Sequence, residues 1–559
     1  MENGNFISRF IYNAECHPDK VALQLPVMEG QKCLGEESIS YAELACLVSA
    51  YQVLWQQKGW QSGDRIVVIL KPSKELYAIA LSLFSLGIVA VFIDTGMGRK
   101  KMQMAIRDSN AKAIISMKAL IKLFWLVPAL WPLQRFAVDG QSIGYSNVLQ
   151  QVEPLISSAP PLTSIARSDT DHGLISFTSG STGRPKGADR THFSLIQQHL
   201  AIRDHWPDKA EDIDCPCFPV MVLHNLSCGM TTIMPKVDLA EPSQVNAEVV
   251  IDQIRQHKIT RLSGAPAYLQ GLVTYLSQQS SELKTVNEVK SIVVGGATVS
   301  KDLAQSIRTA FPLANARIVY GSTEAEPISD VSIDEYLAEK KAGYLVGHIA
   351  PQIDLMISNV NELEQQGKLI NENDLVQGIC NVGEIGEILV SGHHVLKQYI
   401  DNSEANLENK IPRINVEATK SVWHRTGDCG YQDPQGRLWL SGRVKDVIRV
   451  NNYTLQAYPI EQILDQDNDI IRAAVIYYQG HVCVFAQVRA DKSINHDALI
   501  MRISDIAKGF FLPSGLSNIR YIEIENMPVD GRHNSKIDRP LLREYLAKNK
   551  LNNNQLLTL

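Results

Sequence analysis

The sequence predicts an α/β protein of two unequal parts. Three observations carry that reading: its length, the alternation of short β-branched runs with apolar helix-like runs over roughly the first 440 residues, and a change of character near Ser441. At 559 residues the chain exceeds what one hydrophobic core ordinarily organises, so two or more domains are expected. In chain order, Asp64-Arg65-Ile66-Val67-Val68-Ile69-Leu70 reads as a buried strand. Leu76 to Ile93 is eighteen residues without a charge, long enough to be weighed as a membrane span. Gly87 divides it, however, into a helix-like half and the β-branched Ile88-Val89-Ala90-Val91-Phe92-Ile93, so a buried helix, a glycine stop and a buried strand are expected.

Ala113-Ile114-Ile115-Ser116 is the next strand. Ala119 to Trp131, with Lys122 its one charge, is expected as a core helix, the alternative being a greasy surface for lipid or acyl-chain entry. Ser291 to Gly296 and Ala316-Arg317-Ile318-Val319 continue the strand series, and the polar stretch Asn359 to Glu384 is expected as an exposed excursion between strands. Gly442-Arg443-Val444-Lys445-Asp446 is a charged break. Beyond it Ala473 to Tyr478, Val482 to Val488 and Ile519 to Ile524 read as strands of a small α+β domain. The expected division is residues 1–441, a linker at 442–446, and residues 447–559.

A net charge of −6 with 20% charged residues gives no basic excess for nucleic acid. Nine scattered cysteines without a C-x-x-C fit a reduced cytoplasmic setting better than a disulfide framework or a zinc site. MENGNFISRF lacks a charged region followed by an apolar one, so secretion is not indicated.

Chemistry concentrates in four motifs. Residues 177 to 187 read Phe-Thr-Ser-Gly-Ser-Thr-Gly-Arg-Pro-Lys-Gly: glycines let backbone N–H groups approach an anion, and hydroxyls and a lysine add to the site. This is not the common nucleotide loop, which needs Gly-Lys-Ser/Thr. The bland alternative is a flexible Ser/Gly turn. Tyr320-Gly321-Ser322-Thr323-Glu324 offers an aromatic face, hydroxyls and a carboxylate at a strand's C-terminal edge, suited to stack a base, touch a phosphate and hold Mg²⁺. In Trp423-His424-Arg425-Thr426-Gly427-Asp428 a turn is expected to present one carboxylate, the group that reads a ribose. Asp530-Gly531-Arg532-His533-Asn534-Ser535-Lys536 places one lysine in a polar loop near the end. Singly each has a structural reading, but the four in this order do not.

With these motifs in this order the chain resembles the adenylate-forming superfamily of acyl-CoA synthetases, peptide-synthetase adenylation domains and luciferases, over essentially its whole length. The resemblance implies a large multi-sheet N-terminal domain and a small mobile α+β lid. It implies that Thr178, Ser179, Gly180, Ser181, Thr182, Gly183 and Lys186 wrap the ATP phosphates. Gly295, Gly296, Ala297 and Tyr320 would frame the adenine, with Gly321 and Ser322 beside them, Thr323 at the phosphates and Glu324 at Mg²⁺. Asp428 and Arg443 would hold the ribose, Lys445 would be the hinge, and Lys536 would bridge carboxylate and nucleotide during adenylation. His224, Gly229, Gly264, Ala265 and Ala297 are the candidate acyl-pocket residues, with His224 either a gate or a polar core residue. His424 and His533 are bases by residue type only.

Asp94 to Arg99, Phe218-Pro219-Val220 leading to Gly229-Met230-Thr231-Thr232, Val422 to Arg425 and Asp530 to Lys536 are similar to the β-lactone synthetases of bacterial olefin biosynthesis. The sequence departs from thioester-forming relatives at Asn452, where they have a glycine that lets pantetheine pass, at Gln398 before Tyr399, and at Asn534-Ser535. The implied reaction is acid plus ATP to acyl-AMP and pyrophosphate, then transfer to CoA or an acyl or peptidyl carrier protein. Its rivals are closure of a β-hydroxyacyl-AMP to a β-lactone and, from another class, an inactive nucleotide-binding module. Expected partners are a small carboxylic acid and such a thiol carrier, with no nucleic acid, at most peripheral membrane contact, and a monomeric or homodimeric state.

Overall fold

The computed structural model describes residues 4–29, 32–178, 184–237, 245–341, 343–360, 371–414, 416–450, 453–465, 467, 469–488, 498, 501, 518–529, 537–548 and 556–558. Its strands form two large sheets, a four-stranded sheet and a two-stranded ribbon. The seven-stranded sheet runs in spatial order Ser146–Asn147, Gln134–Ala137, Ala113–Ser116, Arg65–Ile69, Val89–Ile93, His172–Thr178 and Lys186–Thr191. All its neighbours are parallel except the last pair, a hairpin. Parallel strands need crossovers, and the buried β-branched runs of the sequence are the strands so connected.

The uncharged stretch 76–93 shows how local chemistry sets an element. Ser73 caps the helix Lys74–Ser85 by accepting the Leu76 N–H. Gly87, at φ +65, takes the left-handed conformation that stops the helix, and Val89–Ile93 follows as a buried strand. Among the described residues no helix is long and apolar enough to cross a membrane.

The large sheet of fourteen strands has a parallel half, in which Ile213–Pro216, Arg261–Gly264, Ser291–Gly295 and Asn315–Ser322 lie side by side. It continues antiparallel through Ala325–Ser332, Tyr344–Ile349, Leu438–Arg443, Val422–Gln432 and Gly386–Ser391 to Asp354–Ser358. The stretch after Asp354–Ser358 lies between strands as expected. It carries the helix Glu372–Gln377 and buries Val360 and Leu375, while residues 361–370 lie outside the described set.

Residues 119–131 do not form the expected core helix. One turn at Lys118–Ile121 gives way to 3₁₀ turns at Lys122–Leu126 and Pro128–Leu130. The reason is the spacing: Ile121, Phe124, Val127 and Leu130 recur every three residues, the period of a 3₁₀ turn, and all four are buried. Pro128 also has no N–H to continue an α-helix. Trp125, Leu126 and Trp131 remain 67%, 68% and 61% exposed, so the segment presents the apolar surface of the alternative reading.

Past the break, the four-stranded sheet pairs Ile470–Tyr478, His481–Val488, Asn518–Glu523 and Leu556–Thr558. The helix Ala457–Asp465 lies between this sheet and the large one: Ala457, Ile460 and Leu464 enter the core of the small sheet. Tyr458 meets Tyr344 edge to face at 5.5 Å, and Gln462 exchanges hydrogen bonds with both backbone groups of Gly343 (2.5 and 2.8 Å).

Candidate active site

The hairpin of the seven-stranded sheet and the C-terminal edge of the parallel strands in the large sheet meet at one place. Thr178 pairs in register with Lys186 at the mouth of the hairpin. Ser179, Gly180, Ser181, Thr182 and Gly183, the residues between, lie outside the described set. The exit of the loop is tethered by Arg184, whose Nε donates to Asp108 at 3.0 Å. Lys186 is buried, donates to Glu408 (3.2 Å) and stands 5.3 Å from the Tyr399 ring centre.

Opposite stands the strand Asn315–Ser322. It pairs in parallel with Ser291–Gly295, so Gly295, Gly296 and Ala297 emerge at the same edge as Tyr320, Gly321, Ser322 and Thr323. The Tyr320 hydroxyl donates to Asp428 Oδ2 at 2.8 Å, and Arg443 donates to Asp428 Oδ1 at 2.6 Å. Burial, with the Asp428 carboxylate next to it, pushes the Tyr320 phenol well above its ordinary range. The structure thus brings Tyr320, Asp428 and Arg443 together.

Asp428 does not sit in the expected turn. Thr426, Gly427 and Asp428 belong to the continuous strand Val422–Gln432, with Asp428 opposite Arg443. Asp428 pairs with Arg443 on one side, but on the other the register jumps from Arg425 to Cys429, so Thr426–Asp428 bulge and the Asp428 N–H donates to Thr426 Oγ1 at 3.1 Å. That bulge, with Gly427 at φ +69, supplies the bend that the sequence suggests as a turn.

Glu324 follows directly, and the residues around it include several that sequence reasoning missed. The Tyr399 hydroxyl donates to Glu324 Oε1 at 2.8 Å, and Leu396 N–H donates to the Glu324 carbonyl at 2.7 Å. Arg190 donates to the Thr323 carbonyl at 2.6 Å and to Ser176 at 3.0 Å, tying the two sheets together. Lys410 is buried, donates to the Leu396 carbonyl and faces the Tyr399 ring at 5.3 Å. Burial pushes the Lys410 ammonium down to about 7, with Lys186 adding to the effect and Glu324 opposing it.

Burial alone would raise the Glu324 carboxyl, yet it is held below its usual range by His424, Lys410 and the Tyr399 hydroxyl. Burial brings the His424 imidazole itself down to about 3, so it is neutral, and Lys410 with the hydroxyl carries the effect. His424 hydrogen-bonds the Asn409 carbonyl at 3.3 Å and is a buried polar neighbour. The Gln398 departure has a local account: its amide donates to Asp189 (2.9 Å), which also takes His172 (2.7 Å), pinning the 396–410 segment to the hairpin. Nothing in Glu408-Asn409-Lys410-Ile411 distinguishes this lysine from a solvated one, so only the fold reveals it.

The acyl-pocket candidates are more scattered. His224 is a buried helix residue paired with His199. Gly229 ends the helix Met221–Cys228 at φ +75, and a side chain there would meet Asn13, so it serves as a helix stop. Gly264 and Ala265 leave the parallel strand Arg261–Gly264 beside the Tyr268 ring and Cys217. Lys445 is exposed on the 3₁₀ turn Val444–Asp446. Its neighbour Asp446 is buried against Arg539 (3.7 Å) and Arg543 (3.6 Å). Lys536, His533 and Asn452 lie outside the described residues.

Known proteins resemble this chain in sequence and in fold. Residues 10–400 match the family described as AMP-binding enzyme. An olefin beta-lactone synthetase of Stenotrophomonas maltophilia is 28% identical over 97% of this chain and 98% of that protein. One from Xanthomonas campestris is 27% identical over 96% of each. Indoleacetate–CoA ligase of Aromatoleum aromaticum is 26% identical over 85% of each. Among solved structures, ATP-bound MatB from Rhodopseudomonas palustris superposes with a TM-score of 0.77 at 20% identity, covering 97% of this chain and 99% of that one. The amide bond synthetase McbA from Marinactinospora thermotolerans gives 0.75 at 17% identity, covering 96% and 99%.

Proposed function

The chain belongs to the AMP-binding enzyme family, and on that premise we propose that it activates a hydrophobic, fatty or β-hydroxy fatty, carboxylic acid with ATP to an acyl-AMP and pyrophosphate. The observation that carries this is the convergence of Lys186, Glu324, Tyr320, Asp428 and Arg443 on one edge between two sheets. An acid oxygen attacking the α-phosphorus of ATP brings two anions together, so the site must supply positive charge. Lys186 stands at the hairpin mouth, Lys410 lies behind it, and Lys536 is assigned to the reacting carboxylate. Asp428 has acceptor oxygens for ribose hydroxyls once Tyr320 and Arg443 turn from it to the nucleotide.

Glu324 fits Mg²⁺, being a partly buried carboxylate that its surroundings keep ionised. Bound there, the ion would neutralise phosphate charge. Tyr399 and Lys410 hold the carboxylate in place.

The site residues named from the motifs keep these roles as proposals, as does the division into residues 1–441, a hinge at 442–446 and a lid over 447–559. A lid turning about Lys445 would remove the Lys536 loop after adenylation and admit the acceptor. Two acceptors fit the family, a thiol of CoA or a carrier protein and the substrate's own β-hydroxyl. The second is favoured by the two relatives that match end to end, both named beta-lactone synthetases.

Acid-dependent ATP–pyrophosphate exchange over a panel of acids tests the first step: no exchange with any fatty or β-hydroxy fatty acid overturns it. Weighing the products with and without CoA tests the second. A lactone lighter than its β-hydroxy acid by one water, formed at the same rate without CoA, is expected. A CoA thioester as the main product from plain and β-hydroxy acids alike would remove the lactone reading.

A further inference from the structure

Outside the nucleotide site, the described residues contain one largely buried cluster of metal-ligating side chains. His199 lies on the helix His192–His205, and His224 and Cys228 lie four residues apart on Met221–Cys228, hence on one face of it. His199 Nδ1 is 3.1 Å from His224 Nδ1, Cys228 Sγ is 3.5 Å from His224 Nε2, and a donor atom from each of the three lies within 4.8 Å of the others. Both histidines are buried, at 3% and 4% exposure.

A polar core pair would satisfy its nitrogens, but His199 Nε2 has no partner. Asp208 is held by Arg203 at 3.0 Å.

We propose that His199, His224 and Cys228 form a zinc site that ties these two helices together, with water in the fourth position. Two imidazoles and one thiolate are donors Zn²⁺ takes, at about 2.0–2.3 Å. Binding releases the thiol proton to solvent, and the thiolate offsets one of the ion's two charges. Cys228 is the last residue of its helix, where the backbone's partial negative charge favours a cation, and it is partly exposed, which opens a route for the metal. The same helix follows Phe218-Pro219, and the Phe218 ring lies beside Gly296, so the ion would hold a wall of the nucleotide edge from behind. This inference does not depend on the acid or the acceptor.

The test is Co²⁺ titration of the tag-free full chain, stripped with chelator and kept anaerobic. The expected result is one equivalent bound, with thiolate-to-cobalt charge transfer in the near ultraviolet and tetrahedral bands in the visible, all displaced by Zn²⁺. Cys228→Ser should abolish the charge-transfer band, and His199→Gln should weaken binding by at least about tenfold. Zn²⁺ should raise the melting temperature of the wild type and not of Cys228→Ser. Absence of a charge-transfer band in the wild type overturns the proposal. So does an unchanged band in Cys228→Ser, which would place the thiolate on another cysteine, or unchanged binding in His199→Gln.

Discussion

At the scale of single residues, the site depends on charges held close together in partial burial. Tyr399 donates to Glu324 in a bond to an ionised acceptor, so Tyr399→Phe should cost about 1.5–3 kcal/mol of transition-state stabilisation. Pyrophosphate exchange should therefore fall roughly ten- to a hundredfold; an unchanged rate would mean that Glu324 needs no such support. Lys536→Ala, on the proposed role, should remove one preorganised cation and cost roughly 3–4 kcal/mol. Acid-dependent exchange would then nearly vanish with ATP binding intact, and near wild-type exchange would refute the role.

Secondary-structure elements carry their own tests. Asp465 ends the helix Ala457–Asp465 and accepts the Ala473 N–H at 2.8 Å. Burial, with Glu461 and Asp302 adding like charge, pushes its carboxyl from an ordinary 3.8 to about 7. Because the folded state binds this proton more tightly than the unfolded one, the stability it contributes is full below about pH 4 and is lost as pH rises through 7. Asp465→Asn keeps the acceptor and removes the charge, so it should melt above the wild type at pH 8 and close to it at pH 4. Parallel melting curves across that range would show that Asp465 ionises normally. For the proposed hinge, Lys445→Pro restricts φ to about −65° in the turn Val444–Asp446. Single-turnover assays should find consumption of the adenylate slowed far more than its formation, and equal slowing of both would reduce the break to a linker.

Across the whole molecule, the small sheet is held to the large one through the helix Ala457–Asp465, with Gln462 clasping Gly343 and Tyr458 against Tyr344. If the lid turns, these contacts belong to one orientation and must break in the other. Gln462→Ala therefore disfavours the orientation seen here, and hydrogen exchange over residues 457–465 should rise. Only the half-reaction that this orientation serves should slow; equal slowing of both, or no change in exchange, would separate the clasp from the catalytic cycle.

What the sequence by itself determined is local. Runs such as Val89–Ile93 and Ser291–Gly295 are strands because every residue is apolar, β-branched or small, and Gly87 stops a helix because it alone bears no side chain in the left-handed region. The glycine-rich loop, Tyr320 to Glu324 and Asp428 are legible for the same reason: their chemistry is concentrated within a few residues. Residues 119–131 misled because an apolar run does not announce whether its period is 3.6 or 3.0, and the structure chose the latter. Tertiary structure decided the rest. It set Lys410 beside Glu324 and Tyr399, Arg190 against the Thr323 carbonyl, and His199 against His224. Each is a pair distant in sequence whose energy arises only once the sheets and helices have excluded water between them, so the value of those charges and donors is a property of the fold and not of any neighbouring residues in the chain.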